Sequence, residues 1–301
     1  MIYLERWRTL QYVPVDVQIP VVCDPTDSML LYNRRLMQRG SWWERLIAAE
    51  EFIKFRSYEG KLASQADTVV FCSRVDLECV RSRAASTHYA LVPNGVDCET
   101  FFLKQQQEEE PDTIIFTGNF GYKPNRHAVR FFLKEIFPLI CKSVPNARFM
   151  IVGSGATRYL RKYLGSTPGL ELVDFVPELR SYIARATVAV APITVGAGVS
   201  NKLGEAFATG TPVVATRMAC GDLPVGDGEH LLIADEPPRF AEEVVRLLRD
   251  RELRNQIVTR ARRFVEEQYD WGVVSRSMEQ VMTDVAKGAV AGKERLVASS
   301  V

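Results

Sequence analysis

No glycine occurs before Gly40, and no Cys-x-x-Cys pair, no acidic D-x-D sequence and no long apolar run occurs anywhere in the 301 residues. Without a window of about 18 apolar residues, no segment can cross a bilayer as a helix. The opening MIYLERWRTL also lacks the apolar stretch of a signal peptide. The six cysteines (Cys23, Cys72, Cys79, Cys98, Cys141, Cys220) lie far apart, several inside apolar runs, as reduced core thiols of a cytosolic protein do. Only three histidines are present, His88, His127 and His230, each in a separate segment. They are too few and too scattered for a His-based metal site, so no metal is expected. Charge of one sign is missing as well: 38 Lys+Arg against 37 Asp+Glu leave +1. No global field recruits nucleic acid, which is excluded as a partner.

What is present is ordinary for a globular protein, 47% hydrophobic and 25% charged residues. The length is about twice the usual ~100–150-residue domain, which predicts two domains. The strongest boundary is KQQQEEEPD (104–112), polar, charged and without apolar periodicity, and it reads as a solvated linker.

After it, short β-branched runs alternate with amphipathic stretches, the pattern of βα units around a parallel sheet. TIIF (113–116), RFMIV (148–152), LELVDF (170–175), VAVAP (188–192), PVVAT (212–216) and LLIA (231–234) are the expected strands. Helices are expected at 125–142, 157–164, 179–186 and 202–209, then near 237–249, 252–269 and 272–286. Six strands with intervening helices make a complete doubly wound domain. Ahead of the linker only IPVVC (19–23), TVVFC (68–72) and YALV (89–92) read as strands, with helices at 41–66 and 74–83. With no Gly-rich loop before them, they look like the second half of an α/β domain. Trp42, Trp43 and Phe52, at near-helical spacing, read as core, and ARRF (261–264) as an exposed helix face.

The most informative stretch is APITVGAGVSNKLGEAFATGTPVVAT (191–216). Gly196, Ala197 and Gly198 allow close backbone approach, and Ser200 or Asn201 can cap a helix starting there. Free N–H groups at that start suit a phosphate, Lys202 adds a point charge, and Glu205 can accept from two adjacent hydroxyls such as a ribose diol. On spacing alone, a capped Gly-rich βα turn without any ligand stays equally open.

This stretch resembles the donor-site motif of retaining GT-B glycosyltransferases of family 4 (group 1). Members carry a Glu, seven residues, then a second Glu before A-x-A-x-G-x-PVV. Glu205, Ala206, Ala208, Gly210, Pro212, Val213 and Val214 match the second half, and Ala197 stands where the first Glu belongs. The G-x-G-x-x-N-K-x-x-E-A form is similar to an exopolysaccharide-associated subset. VPNGVDCETF (92–101), TGNFGYKPN (117–125), IVGSG (151–155), DFVPELRSYIARATVAVAP (174–192) and YDW (269–271) fit the same family in order. In the second of these, Gly118 matches, Asn119 holds an Arg position and Lys123 stands one place before the usual Lys. RTLQY (8–12), VCDPTDSM (22–29) and YEGKLASQADTVVFCSRVD (58–76) resemble the later part of the acceptor domain. Where many members have a His after the strand at 19–23, this chain offers Asp24, Thr26 and Asp27.

The resemblance implies an α/β, GT-B-like fold with two Rossmann-like, doubly wound parallel-sheet domains, the first incomplete: residues 1–103, a linker 104–112, a donor domain 113–286 and a flexible tail 287–301. It implies a hexosyltransferase using a UDP- or GDP-sugar as substrate, with no cofactor, and a glycan or lipid-linked acceptor. Gly118, Asn119, Lys123 and Lys202 would meet the diphosphate, together with Gly198, Val199, Ser200 and Asn201. Glu205 would hold the ribose, and backbone at Phe175, Val176 and Pro177 the base. Asp24 and Asp27 are the candidates for a catalytic role. The expected setting is cytoplasmic, peripheral to the inner face of the membrane, with self-association through the incomplete first domain. A nucleotide-sugar-binding fragment without transfer activity is the main alternative, and a UDP-sugar epimerase of the same fold a weaker one.

Overall fold

The computed structural model describes residues 1–14, 17–163, 167–195 and 201–288, the side chain of Arg39 excepted. Contacts divide the chain into two units: Met1–Pro93 with the segment that begins at Val274, and Asn94–Val273.

Among the described residues, the first unit holds four parallel strands in the order β1-β2-β3-β4: Ile2–Glu5, Val21–Asp24, Thr68–Phe71 and His88–Leu91. Three were expected, and β1 is the addition. Its pattern is half-buried Ile2 and Leu4 against exposed Tyr3 and Glu5, four residues at a sheet edge, too short to stand out as a periodic run. Side-chain alternation gives the sheet two apolar faces. Val21, Cys23, Val69 and Phe71 pack with Trp7, Leu10 and Leu62 on one side. Val22 and Val70 pack with Val92, Val274 and Val285 on the other. Most of the closing helix, Trp271–Ala286, therefore serves the first sheet, although the sequence reading assigned it to the second domain.

Trp42 and Trp43 are not core: each is 61% exposed at the start of helix Trp42–Ala63. The buried residues of that helix are Ala48, Glu59, Gly60, Leu62 and Ala63, which small side chains and the far end of the helix supply. A second helix, Met29–Arg39, went unpredicted; its N-cap is Ser28, whose hydroxyl accepts from the Leu31 N–H.

Among the described residues, the second unit contains six parallel strands: β5 (Thr113–Thr117), β6 (Arg148–Val152), β7 (Leu170–Val173), β8 (Val188–Ala191), β9 (Val213–Ala215) and β10 (Leu232–Ile233). Each expected strand is found, and the order is β10-β9-β8-β5-β6-β7. The chain winds from β5 outward to β7, then returns to the other side of β5 to lay down β8. Connections leave β5 and β8 in opposite directions, which opens a crevice beyond their carboxyl ends. The expected helix at 125–142 is a continuous helical run, Lys123–Phe131, a π-turn over Phe132–Ile136, and Phe137–Ser143. Pro138 lacks the N–H an unbroken α-helix needs, and the widened turn precedes it.

Lys104–Asp112 lies inside the second unit, and the contact boundary falls between Pro93 and Asn94. These residues are ion-paired rather than simply solvated. Lys104 Nζ is 2.9 Å from Glu109 and donates to the Ala186 carbonyl, while Glu110 meets Arg185 at 2.7 Å and Arg148 at 2.8 Å. Glu108 takes two bonds from Arg180, which is buried and stacks on Phe102 with its guanidinium 3.7 Å from the ring centre. ARRF is likewise only half exposed. Arg263 faces water, but Arg262 is largely buried and donates to the Phe101, Ala208 and Cys98 carbonyls.

Candidate functional site

The crevice beyond β5 and β8 is built first from glycines. After β5, the Gly118 N–H donates to Val152 O at 3.0 Å; after β6, the Gly153 N–H donates to Val173 O at 2.9 Å. The ladder thus runs on past the strand ends and brings two backbones into contact. A Cβ on Gly153 would lie 2.0 Å from Gly118 O, and Gly153 has φ +142°. No other residue fits there.

On this floor sits Asn125, 7% exposed, in the first turn of helix Lys123–Phe131. Its Nδ2 donates to Asn119 O at 2.9 Å, and its Oδ1 accepts from Lys202 Nζ at 3.3 Å. Asn125 therefore links the loop after β5 to the helix after β8. Lys202 is near the start of helix Asn201–Thr209, and its Nζ lies 5.1 Å from the centre of the Phe116 ring. Burial pushes the Lys202 ammonium down to about 8, with Glu205 opposing the shift. Burial also raises the Glu205 carboxyl, and there Lys202 is the opposing charge. Cation and carboxylate, three residues apart on one helical face, are thus both held in low-dielectric surroundings. Asn201 accepts at its Oδ1 from Asn94 Nδ2 at 3.0 Å, which fastens the helix start to the Asn94-Gly95 segment, where no turn forms although one was expected. That segment is fixed in its own right: a Cβ on Gly95 would meet the Trp271 ring at 2.7 Å, and Val96 exchanges backbone bonds with Tyr269 and Trp271.

These elements enclose a cavity of about 460 Å³. Of the residues singled out from sequence, Gly118, Asn119, Phe175, Val176, Asn201, Lys202 and Glu205 line it. Lys123 and Pro177 do not: both are exposed and absent from its wall. Gly198, Val199 and Ser200 lie outside the described residues. Residues of the wall that sequence reading gave no role include Tyr122, Asn125, Ser154 and Met218. Asn125 had a signal, as the last residue of the quoted TGNFGYKPN, whereas Met218 had none. The size suits a ligand of a few hundred daltons, and the lysine, the start of a helix and the carboxylate suit an anion joined to a polyol.

Asp24 and Asp27 belong to the first unit. Asp24, at the end of β2, accepts from the Tyr3 hydroxyl at 2.9 Å and the Thr26 N–H at 3.0 Å. Asp27 is pushed up to about 6 by burial and by Asp76, with Arg35 opposing. Nearby Glu59, fully buried, accepts from Ser28 Oγ at 2.8 Å and from the Met29 and Leu30 N–H groups. Burial pushes it up to about 7 even so. Among the described residues, no three His, Cys, Asp or Glu side chains gather so as to hold a metal ion, and no helix is long and apolar enough to cross a membrane.

Known proteins resemble this chain in sequence and in fold. A phosphatidyl-myo-inositol mannosyltransferase of Mycolicibacterium smegmatis is 29% identical over 244 residues, covering 78% of this chain and 61% of that enzyme. The chain thus spans under two thirds of that relative's length. In fold, it is similar to sucrose-phosphate synthase of Thermosynechococcus elongatus, with TM-score 0.75 and 18% identity over 95% of this chain and 74% of that one. It is also similar to Anabaena HepE in complex with UDP and glucose, with TM-score 0.66 and 15% identity over 88% and 71%. Residues 111–250, which carry the strands and most of the walls of the cavity, match the family described as glycosyl transferases group 1. The chain therefore has an α/β fold of two parallel-sheet units like that of GT-B glycosyltransferases, and residues 111–250 of its second unit are similar to glycosyl transferases group 1.

Proposed function

We propose that the protein is a retaining hexosyltransferase that moves a sugar from a UDP- or GDP-sugar to a glycan or lipid-linked acceptor, in exopolysaccharide or cell-surface glycan assembly. The observation that carries the donor half is the juxtaposition of Lys202, the start of helix Asn201–Thr209 and Glu205 around one cavity at the crossover between β5 and β8. Glu205 accepts from the ribose hydroxyls. Lys202 and the helix N–H groups take the diphosphate, with the Gly118–Asn119 backbone opposite. Phe175 and Val176 at the rim meet the base. Charge that grows on the departing diphosphate is stabilised by the helix start and by a desolvated ammonium, both preorganised, so no metal is required.

The acceptor assignment rests on the likeness of the G-x-G-x-x-N-K-x-x-E-A form to an exopolysaccharide-associated subset and on the related phosphatidyl-myo-inositol mannosyltransferase. A narrower reading, donor binding without transfer, is favoured by Ala197 at the position of a carboxylate that would touch the donor sugar. A panel of UDP- and GDP-hexoses with free and lipid-linked acceptors, assayed in EDTA, separates the two. Transfer with retention at the anomeric carbon supports the enzyme, nucleotide binding without turnover supports the narrower reading, and no binding of any donor rejects both.

A further inference from the structure

We propose that Arg126, which is absent from the cavity wall, is a positioning residue for the diphosphate end of the donor, a role that rests on the donor reading above. Arg126 is half-buried near the start of helix Lys123–Phe131, and its Nη1 donates to two successive carbonyls of the preceding loop, Gly121 O at 2.9 Å and Phe120 O. Its guanidinium lies over the Tyr159 ring, 4.5 Å from the centre, and Tyr159 belongs to the helix Ala156–Leu160 that follows β6. Phe120 is fully buried, and its N–H donates to Ser154 O at 2.9 Å. The loop after β5 is thus braced from behind by the neighbouring strand's connection at two points.

What Arg126 fixes is the direction of two peptide planes. In a trans peptide the N–H points opposite to the carbonyl. With the Phe120 and Gly121 carbonyls held by Arg126, the N–H groups of Gly121 and Tyr122 turn to Asn119. Gly121 N–H donates to Asn119 Oδ1 at 2.7 Å, and Tyr122 N–H to the Asn119 carbonyl at 3.3 Å. A backbone N–H can only donate, so the side-chain oxygen of Asn119 is identified and engaged, and its NH₂ is what the amide has left to offer the cavity it lines. An amide held this way presents donors to an anion, where a freely turning one would present its oxygen as readily. Asn119 stands where the resembling family has Arg, so in this chain a neutral donor faces the anion and the guanidinium stands behind it. Lysine at 126 would keep the charge but lose the planar group that donates through its edge and stacks through its face.

The test is calorimetry of the full chain with UDP and GDP, and displacement of the bound nucleotide by its own nucleoside, which lacks the diphosphate. Arg126→Met should weaken the nucleotide about tenfold or more and leave the nucleoside unchanged, since only the diphosphate meets the amide donors. Tyr159→Leu should give a smaller loss of the same kind, and Tyr159→Phe, which keeps the ring, none. Asn119→Asp, which keeps the bond from Gly121 N–H but replaces the remaining donors with an acceptor, should reproduce the selective loss and decides the matter if Arg126→Met fails to fold. A wild type that binds a nucleotide as tightly as Arg126→Met or Asn119→Asp does overturns this inference and leaves the donor reading standing. Equal loss of nucleotide and nucleoside also overturns it, because the arginine would then hold up the cavity as a whole. A wild type that binds neither nucleotide overturns the donor reading and this inference with it.

Discussion

At Gly153 the backbone has no room for a methyl group, since the Cβ would lie 2.0 Å from a carbonyl oxygen at a φ that disfavours L side chains. Gly153→Ala should destabilise the second unit by about 3 kcal/mol or more, the range of strain at a fixed backbone conformation, and urea unfolding reads it. Asn125 offers a chemical rather than steric test. With Lys202 at about 8, a diphosphate binds best to the protonated form, so donor affinity should fall as pH rises through 8, by at most tenfold per unit. Asn125→Asp puts a carboxylate 3.3 Å from the ammonium, which raises its pKa and moves that alkaline limb upward while weakening the diphosphate overall. Calorimetry of UDP binding from pH 6.5 to about 9.5 checks both effects; an unmoved limb would separate Asn125 from Lys202. At this scale Lys202 and Glu205 were legible because spacing sets them on one helical face. Asn125 stood in a recognisable motif, but its linking role was not legible, because its two partners lie on a loop and on a helix 77 residues away.

Among the elements, the start of helix Met29–Arg39 depends on an acid from another helix. Glu59 is buried and accepts from Ser28, Met29 and Leu30, with Asp76 accepting from the Ser28 N–H and Asp27 and Arg35 nearby. Its folded pKa, about 7, lies above the ordinary 4.5. Between those values the folded state keeps a proton that the unfolded chain has lost, so this group's contribution to stability falls as pH rises from about 4.5 to about 7. Glu59→Gln, neutral throughout, should flatten that slope, and melting temperatures of both proteins across the window test it. An identical slope in the two would acquit Glu59. The helix itself escaped sequence reading because its cap is tertiary: Ser28 alone is a weak signal, and Glu59 is 31 residues away. The long β-branched runs of the second sheet were legible for the opposite reason, being buried on both faces and bounded by turn residues. The acidic strap at Lys104–Asp112 read as solvated because its arginine partners, Arg148, Arg180, Arg185 and Arg254, come from distant segments.

For the whole molecule, the alternation of strands and helices was enough to give two α/β units, but not which segments each unit owns. The return of the closing helix to the first sheet follows from an apolar face, Val22 and Val70, that needs cover, and nothing local in Val274 or Val285 announces it. The central claim is that the cavity between β5 and β8 binds a nucleoside-diphosphate sugar through Lys202 and Glu205. Isothermal titration of UDP- and GDP-sugars into the full chain at pH 7, in EDTA, tests it most directly, with Lys202→Ala and Glu205→Gln alongside. The account predicts metal-independent binding that each substitution weakens by roughly 1–3 kcal/mol, the worth of a charge-assisted hydrogen bond. Binding that EDTA abolishes, or affinity that neither substitution changes, would contradict it.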